Sequence, residues 1–280
     1  MSNLVSTEWL AAHLNDVRVV DASWYMPNDK RDPHAEFEAA HIPGAVHFDI
    51  DAIADRSTDL PHMMPSAGAF AKAVGALGIG NGDTVVVYDG SGIFSAPRVW
   101  WMFKAMGHDQ VKVLDGGFPK WRREVHPIET GAVRPALQIF RASLRPAIMR
   151  DFDDVMNIVK DHSAQIADAR SPGRFTGSEA EPRAGVRGGH MPGAANVHFR
   201  TLLSEDGTFK QQAELRELFQ RAGIDPARPV VTTCGTGVTA AILTLALDDL
   251  GARDVALYDG SWTEWGSRAE APIVKGPVRD

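Results

Sequence analysis

The sequence repeats itself once along its length, and this repeat most strongly constrains how the chain can fold. Four short motifs recur in the same order, 144 to 149 residues apart. Two copies of roughly 120 to 130 residues have the ordinary size of domains, so the sequence predicts two domains with one fold. The paired motifs are Asp21-Ala22 with Asp168-Ala169, residues 41–45 (HIPGA) with 190–194 (HMPGA), residues 85–92 with 230–237, and Asp115-Gly116-Gly117 with Asp259-Gly260-Ser261.

Each copy alternates short β-rich runs with helical stretches. Examples are the runs at 84–88 and 229–233, which precede helical patterns at 96–106 and 239–250. Apolar strands that alternate with helices predict an α/β fold in which a mainly parallel sheet is flanked by helices.

Between the copies, residues 125–146 carry three prolines and no sustained period, which is typical of an extended linker. We therefore expect a first domain at 5–131, a linker at 132–152 and a second domain at 153–277.

Composition excludes several classes of protein. The 280-residue chain carries a net charge of −7, whereas nucleic acids and anionic membranes favour basic partners, so we expect neither as a partner. The single cysteine cannot form an internal disulfide, which favours a reducing compartment. No targeting segment is evident, and the apolar stretch at 238–247 is too short to span a bilayer. We therefore expect a cytoplasmic location.

The lone cysteine lies where a strand leads into a helix. Cys234 follows a β-rich run and precedes Gly235, Thr236, Gly237, Val238 and Thr239, which form the predicted active-site loop. In open α/β sheets ligands bind beyond the carboxyl ends of the strands. The two glycines let successive N–H groups converge, and the helix N-terminus adds a positive dipole end. Such a loop stabilises a thiolate, so the sequence predicts a nucleophilic Cys234 in preference to an inert buried one.

Other uses of this loop fit the sequence less well. A phosphate-binding loop would end in Gly-Lys-Ser/Thr, and a Cys-x5-Arg phosphatase would have arginine where Ala240 stands. One cysteine does not supply the closely spaced ligands of a zinc site. No metal and no organic cofactor is expected.

Three features together resemble the tandem rhodanese-domain sulfurtransferases. They are the loop at 234–240 (CGTGVTA), the paired His-x-Pro-Gly-Ala blocks, and residues 258–265 (YDGSWTEW). Within that family the chain is most similar to the 3-mercaptopyruvate sulfurtransferases, whose loop reads Cys-Gly-Ser/Thr-Gly-Val-Thr. Thiosulfate enzymes carry Cys-Arg-Lys-Gly-Val-Thr there, and neither basic residue is present.

The resemblance implies roles for several residues. Arg174 and Arg183 match the two arginines that bind the substrate carboxylate. Asp51, His62 and the Thr236 hydroxyl match a Ser-His-Asp-type relay, although the family more often has serine at the last position. His41 and His190 occur in both copies, whereas only one copy keeps a cysteine, so we expect them to support turns. Asp89 stands where the second copy has Cys234, which predicts a non-catalytic first domain.

The resemblance also implies the reaction. Sulfur would pass from 3-mercaptopyruvate to Cys234 as a persulfide with release of pyruvate, and then to a thiol, a thioredoxin-like protein or cyanide. The alternatives are a thiosulfate sulfurtransferase and a rhodanese-type scaffold that binds a partner without turnover.

Overall fold

The computed structural model describes residues 2–277, which form two compact units. Each unit includes a short segment whose neighbours along the chain belong to the other unit. Within the described residues, the first unit comprises 2–56, 64–145 and 203–209, and the second comprises 57–63, 146–202 and 210–277. The segment that contains His62 therefore belongs to the second unit, although it lies in the first repeat of the sequence.

The first unit is built on a five-stranded parallel sheet with strand order β1-β5-β4-β2-β3. The strands are rich in valine, whose β-branched side chain suits a sheet that is covered on both sides. Its elements are β1 (Leu4–Val5), α1 (Thr7–His13), β2 (Val17–Asp21), α2 (Pro33–Ala39), β3 (Val46–His47), α3 (Ala67–Ala76), β4 (Thr84–Tyr88), α4 (Ala96–Ala105), β5 (Val111–Leu114) and α5 (Gly117–Arg123).

The second unit repeats this topology with the order β6-β10-β9-β7-β8, again parallel throughout. The repeated sequence motifs thus correspond to repeated structure, strand for strand. Its elements are β6 (Met149–Arg150), α6 (Phe152–Asp161), β7 (Gln165–Asp168), α7 (Pro172–Thr176), β8 (Ala194–Asn196), α8 (Gln212–Arg221), β9 (Val230–Thr233), α9 (Ala240–Asp249), β10 (Val255–Tyr258) and α10 (Ser261–Ser267).

Local sequence sets where the helices begin. Asp151 caps α6, because its carboxylate accepts the N–H of Asp154 while the Asp154 carboxylate accepts the N–H of Asp151. The Asp32 carboxylate caps α2 by accepting the N–H groups of His34 and Ala35, and proline follows Asp32 at the first helical position. The helix α9 is buried along most of its length, which explains why its sequence is apolar without a polar stripe.

The predicted α/β fold is confirmed, and the quoted strands and helices agree with the observed ones to within one residue at almost every end.

Residues 126–145 contain no helix or strand and lie along the first unit, where Ser143 and Arg145 donate backbone hydrogen bonds to Met106 and Ala105. The short strand β6 at Met149–Arg150 then begins the second sheet. No helix among residues 2–277 is both long and apolar enough to cross a membrane.

Candidate active site

The loop that follows β9 is tied to the first turn of α10. Cys234 is the first residue of this loop and is only 2% exposed. Its C=O accepts the N–H of Trp262 at 2.9 Å. The C=O of Gly235 accepts both the N–H and the hydroxyl of Thr263, at 2.9 and 2.7 Å. These bonds hold the cysteine at the carboxyl end of the sheet, where ligands of parallel α/β folds bind.

Ser261 holds the backbone of Cys234 in place, a role that no sequence motif predicted. Its hydroxyl accepts the N–H of Cys234 at 3.2 Å and donates to the C=O of Tyr258 at 2.8 Å. Its φ of 49° lies in the left-handed region, which is unfavourable for a residue with a Cβ. The repeat indicates this left-handed backbone, because the matching residue of the first unit is a glycine, Gly117, with φ 55°.

The first unit shows how this type of loop surrounds a carboxyl group, whose pKa burial raises in spite of the backbone donors. Asp89 occupies the position that matches Cys234 and is 1% exposed. Its Oδ1 accepts the N–H of Ser91 at 2.9 Å, and its Oδ2 accepts those of Phe94, Ser95 and Ala96 at 2.8 to 3.0 Å. Four backbone donors therefore converge on the side chain of the first loop residue.

The second loop offers its donors without such a carboxylate. It is one residue shorter than the first, because α9 begins at Ala240 whereas α4 begins at Ala96. Within the described part of the chain, the structure assigns no acceptor to the N–H groups of residues 235–239. The loop beside the Cys234 sulfur thus has donors available for an anionic atom.

The structure brings two of the predicted relay residues together. His62 Nδ1 lies 3.0 Å from the hydroxyl of Thr236, and both side chains are buried. His62 also has a left-handed backbone, with φ 61°. Asp51 belongs to the first unit, where its Oδ2 accepts the indole N–H of Trp24 at 2.9 Å. The participation of Asp51 in a relay stays a prediction.

Arg174 lies directly over the loop. It is part of α7, whose first turn is capped by the hydroxyl of Ser171. A Cβ built on Gly235 would lie 3.0 Å from Nη2 of Arg174, so only glycine leaves ordinary room for the guanidinium here. Arg183 is half-buried in the irregular segment that follows α7. The structure therefore places Arg174 beside the loop, as a substrate-binding arginine requires.

A buried network of charges holds Arg174 in place, and no sequence motif predicted it. Glu181 bridges two arginines, with Oε2 at 2.5 Å from Nη2 of Arg174 and Oε1 at 2.8 Å from Nη1 of Arg170. Arg170 also binds Asp168, with Nη2 2.6 Å from Oδ2, and donates to the C=O of Gly189. Two guanidinium groups and two carboxylates meet here, so their charges balance.

Arg170 links this network to the cysteine loop. Its guanidinium lies 4.1 Å from the ring centroid of Trp262, whose backbone N–H donates to the C=O of Cys234. Burial opposes the charge on Arg170, but the carboxylates of Asp168 and Glu181 outweigh this effect and raise the pKa of Arg170. Arg170 directly follows the repeated Asp-Ala motif, and this position is the sequence feature from which it could have been identified.

His41 and His190 occupy equivalent structural positions, as the repeat predicts. His41 Nδ1 lies 2.8 Å from the C=O of Phe37, and His190 Nδ1 lies 2.9 Å from the C=O of Phe175. Each ring stacks on that same phenylalanine, at 4.2 and 3.9 Å between centroids. Their contacts are those of turn-supporting side chains.

The family model for the rhodanese-like domain matches residues 6–124 and again residues 151–268. The chain belongs to the rhodanese family, with two tandem domains. This confirms the rhodanese resemblance drawn from the loop and repeat motifs, and the relatives described next confirm the expected enzyme class, the transferases of sulfur-containing groups.

Relatives of this sulfurtransferase match along nearly its whole length. The human 3-mercaptopyruvate sulfurtransferase is 46% identical, over 97% of this chain and 94% of its own. The mitochondrial thiosulfate/3-mercaptopyruvate sulfurtransferase 1 of Arabidopsis thaliana is 44% identical, over 96% of this chain and 77% of its own. The crystal structure of SseA from Escherichia coli, a 3-mercaptopyruvate sulfotransferase by its description, superposes with a TM-score of 0.86 at 38% identity, covering 94% of this chain and 99% of that one.

Among residues 2–277, no group of three or more His, Cys, Asp or Glu side chains is arranged to hold a metal ion.

Proposed function

We propose that this sulfurtransferase takes sulfur from 3-mercaptopyruvate and carries it on Cys234 as a persulfide. The observation that carries the proposal is the contrast between the two loops. In the first, the Asp89 carboxylate occupies four backbone donors. In the second, the matching residue is a cysteine and the N–H groups of residues 235–239 have no acceptor within the described residues. The Cys234 thiolate that attacks the substrate is stabilised by donors of this kind, as is the persulfide sulfur whenever it ionises.

The chemistry of the first step is a displacement at sulfur. Arg174 and Arg183 would hold the carboxylate and the neighbouring carbonyl oxygen of the substrate. The thiolate of Cys234 attacks the substrate sulfur, so an S–S bond forms and the C–S bond breaks. The electron pair of the broken bond passes into the enolate of pyruvate, and the substrate S–H hydrogen stays on the persulfide.

The enolate must then gain a proton. The Thr236 hydroxyl lies beside Cys234 in the sequence and 3.0 Å from His62 Nδ1, so these two groups could pass a proton toward the leaving group. We include Asp51 in this proposal as the partner that would orient His62.

The second step regenerates the enzyme. The thiolate of an acceptor, either a small thiol or a thioredoxin-like protein, attacks the outer sulfur of the persulfide, and Cys234 leaves as a thiolate. Cyanide could accept the same sulfur. We propose the first domain as non-catalytic because Asp89 carries no nucleophilic sulfur, and we retain the cytoplasmic location as a proposal.

Thiosulfate is the competing substrate, because the Arabidopsis relative is named for both compounds. The loop disfavours thiosulfate because it carries too little positive charge. Gly235 and Thr236 stand where the thiosulfate enzymes carry two basic residues. A doubly charged anion would therefore find less compensation here than a monocarboxylate.

The test combines mass spectrometry with substrate competition. The protein is incubated with 3-mercaptopyruvate without an acceptor, and we expect a mass increase of one sulfur atom on the peptide that contains Cys234, together with one equivalent of pyruvate. The Cys234→Ser variant should show neither product, whereas Thr263→Val, which removes only a hydroxyl that bonds Gly235, should still form the persulfide. Pyruvate release at an undiminished rate by Cys234→Ser, or faster sulfur transfer from thiosulfate than from an equal concentration of 3-mercaptopyruvate, would contradict the proposal.

A further inference from the structure

The first unit has its own cavity at the place where the second unit carries the cysteine loop. The cavity holds about 380 Å³ and lies beside Gly90, which follows Asp89 as Gly235 follows Cys234. It therefore opens at the carboxyl ends of β2 and β4, where α/β sheets bind ligands. Its volume is in the range of small-molecule sites.

The Tyr25 side chain covers Gly90 as Arg174 covers Gly235. The Tyr25 hydroxyl lies against Gly90 so closely that a Cβ there would collide with it. Arg31 stacks on the Tyr25 ring at 3.6 Å and pairs with Glu36 at 2.5 Å. Tyr25 also donates to Glu36 at 2.7 Å. These three side chains form one wall of the cavity, and the positive charge of Arg31 is paired with Glu36.

The opposite wall is apolar and ends in an arginine without a carboxylate partner. Phe37, Phe118 and Pro119 line the cavity, and Arg122 completes its rim. The Arg122 guanidinium lies 5.9 Å from the Phe118 ring centroid. In the described part of the chain, no carboxylate comes within ion-pair distance of Arg122. Arg122 is exposed, so its five N–H donors are available to a ligand in the cavity.

These features select a class of ligand. An apolar wall that ends in an unpaired guanidinium suits a carboxylate attached to an apolar body. Arg31, the other arginine of the cavity, is already paired with Glu36, so a second carboxylate on the ligand would find no free cationic partner there. We propose that the first unit binds a small organic monocarboxylate in this cavity, with its carboxylate on Arg122 and its apolar body against Phe118. No sulfur chemistry occurs there, because the Asp89 carboxylate is buried and bonded.

The test uses phenylacetate, which contains no sulfur and cannot be turned over. Binding is measured by isothermal titration calorimetry on the intact chain, with phenylacetamide and phenylmalonate as the neutral and doubly charged comparisons. We expect saturable binding of phenylacetate and at least tenfold weaker binding of both comparison compounds. Arg122→Gln should weaken phenylacetate binding at least tenfold and leave sulfur transfer from 3-mercaptopyruvate unchanged.

Two further variants locate the site. Arg123→Gln changes the neighbouring arginine of α5, which does not line the cavity, and should bind phenylacetate as the parent does. Arg174→Ala removes the arginine over the cysteine loop and should also retain binding. Loss of binding in Arg174→Ala with retention in Arg122→Gln would assign the ligand to the second unit and overturn the proposal. So would equal affinity for phenylacetate and phenylacetamide, or the absence of saturable binding at millimolar concentrations. The proposed function would be unaffected by any of these results.

Discussion

Replacing Glu181 by glutamine tests whether the buried charge network places Arg174 over the cysteine loop. The Glu181 side chain is 3% exposed and accepts three hydrogen bonds, one from Arg170 at 2.8 Å and two from Arg174 at 2.5 and 3.2 Å. Glutamine keeps one acceptor oxygen, but its NH₂ group would face guanidinium donors. Arg170 would still bind Asp168, whereas Arg174 has no second carboxylate within ion-pair distance among residues 2–277.

The expected loss of stability follows from these hydrogen bonds. Hydrogen bonds between charged groups contribute roughly 1.5–3 kcal/mol each, and breaking a buried ion pair costs about 3–5 kcal/mol. Since one acceptor is kept and Arg170 stays paired, we expect the free energy of unfolding to fall by about 3 kcal/mol. A mobile Arg174 should also raise the KM for 3-mercaptopyruvate about tenfold, which corresponds to roughly 1.4 kcal/mol of lost binding.

The assays are urea unfolding and steady-state pyruvate release. Glu217→Gln is the matched control, because Glu217 pairs with Arg221 on the exposed face of α8, where the pair contributes at most about 1 kcal/mol. If Glu181→Gln unfolds and turns over like Glu217→Gln, the network does not hold Arg174, and another contact must do so.

Three other predictions test the loops and one surface ion pair. Asp89→Ala leaves four backbone donors without their carboxylate and should lower the free energy of unfolding by about 3 kcal/mol in urea titrations; an unchanged value would contradict the structural role of this carboxylate. Ser261→Gly and Ser261→Ala both lose the hydroxyl, but glycine tolerates φ 49°, so the alanine variant should be the less stable by about 1 kcal/mol. The hydrogen bond from Arg145 lowers the pKa of Asp109 to about 2, so the pair stabilises the fold above about pH 4 and loses this effect as the pH falls toward 2. Asp109→Asn should therefore cost less than about 1 kcal/mol at neutral pH, and nothing measurable at about pH 2, in unfolding curves at both pH values.

Most of the fold was predictable because its signals are local. The β-rich runs at 84–88 and 229–233 lie in buried strands, and a buried parallel strand must be apolar whatever surrounds it. The repeat then required that both sheets share one strand order. The lengths of the short strands β1 and β6 carried no comparable signal, because two residues are too few to show a period.

The candidate site was predictable only in part. Cys234 and Arg174 were identified from motifs, and the structure places Arg174 over Gly235. Ser261 and Glu181 were missed, because neither belongs to a motif whose chemistry is evident from spacing. Their importance comes from the bonds they form to Cys234 and Arg174 after folding.

The sequence alone determined that the chain carries two copies of one α/β fold and that one copy has the thiol, because repetition and composition are properties of the linear order. The tertiary structure decided which charges compensate one another and where the loop donors point. Arg170 and Glu181 are eleven residues apart, and His62 and Thr236 are 174 apart, yet each pair forms a buried hydrogen bond. A buried polar group must find its partner within the packed structure, and linear spacing does not specify which partner the packing will supply.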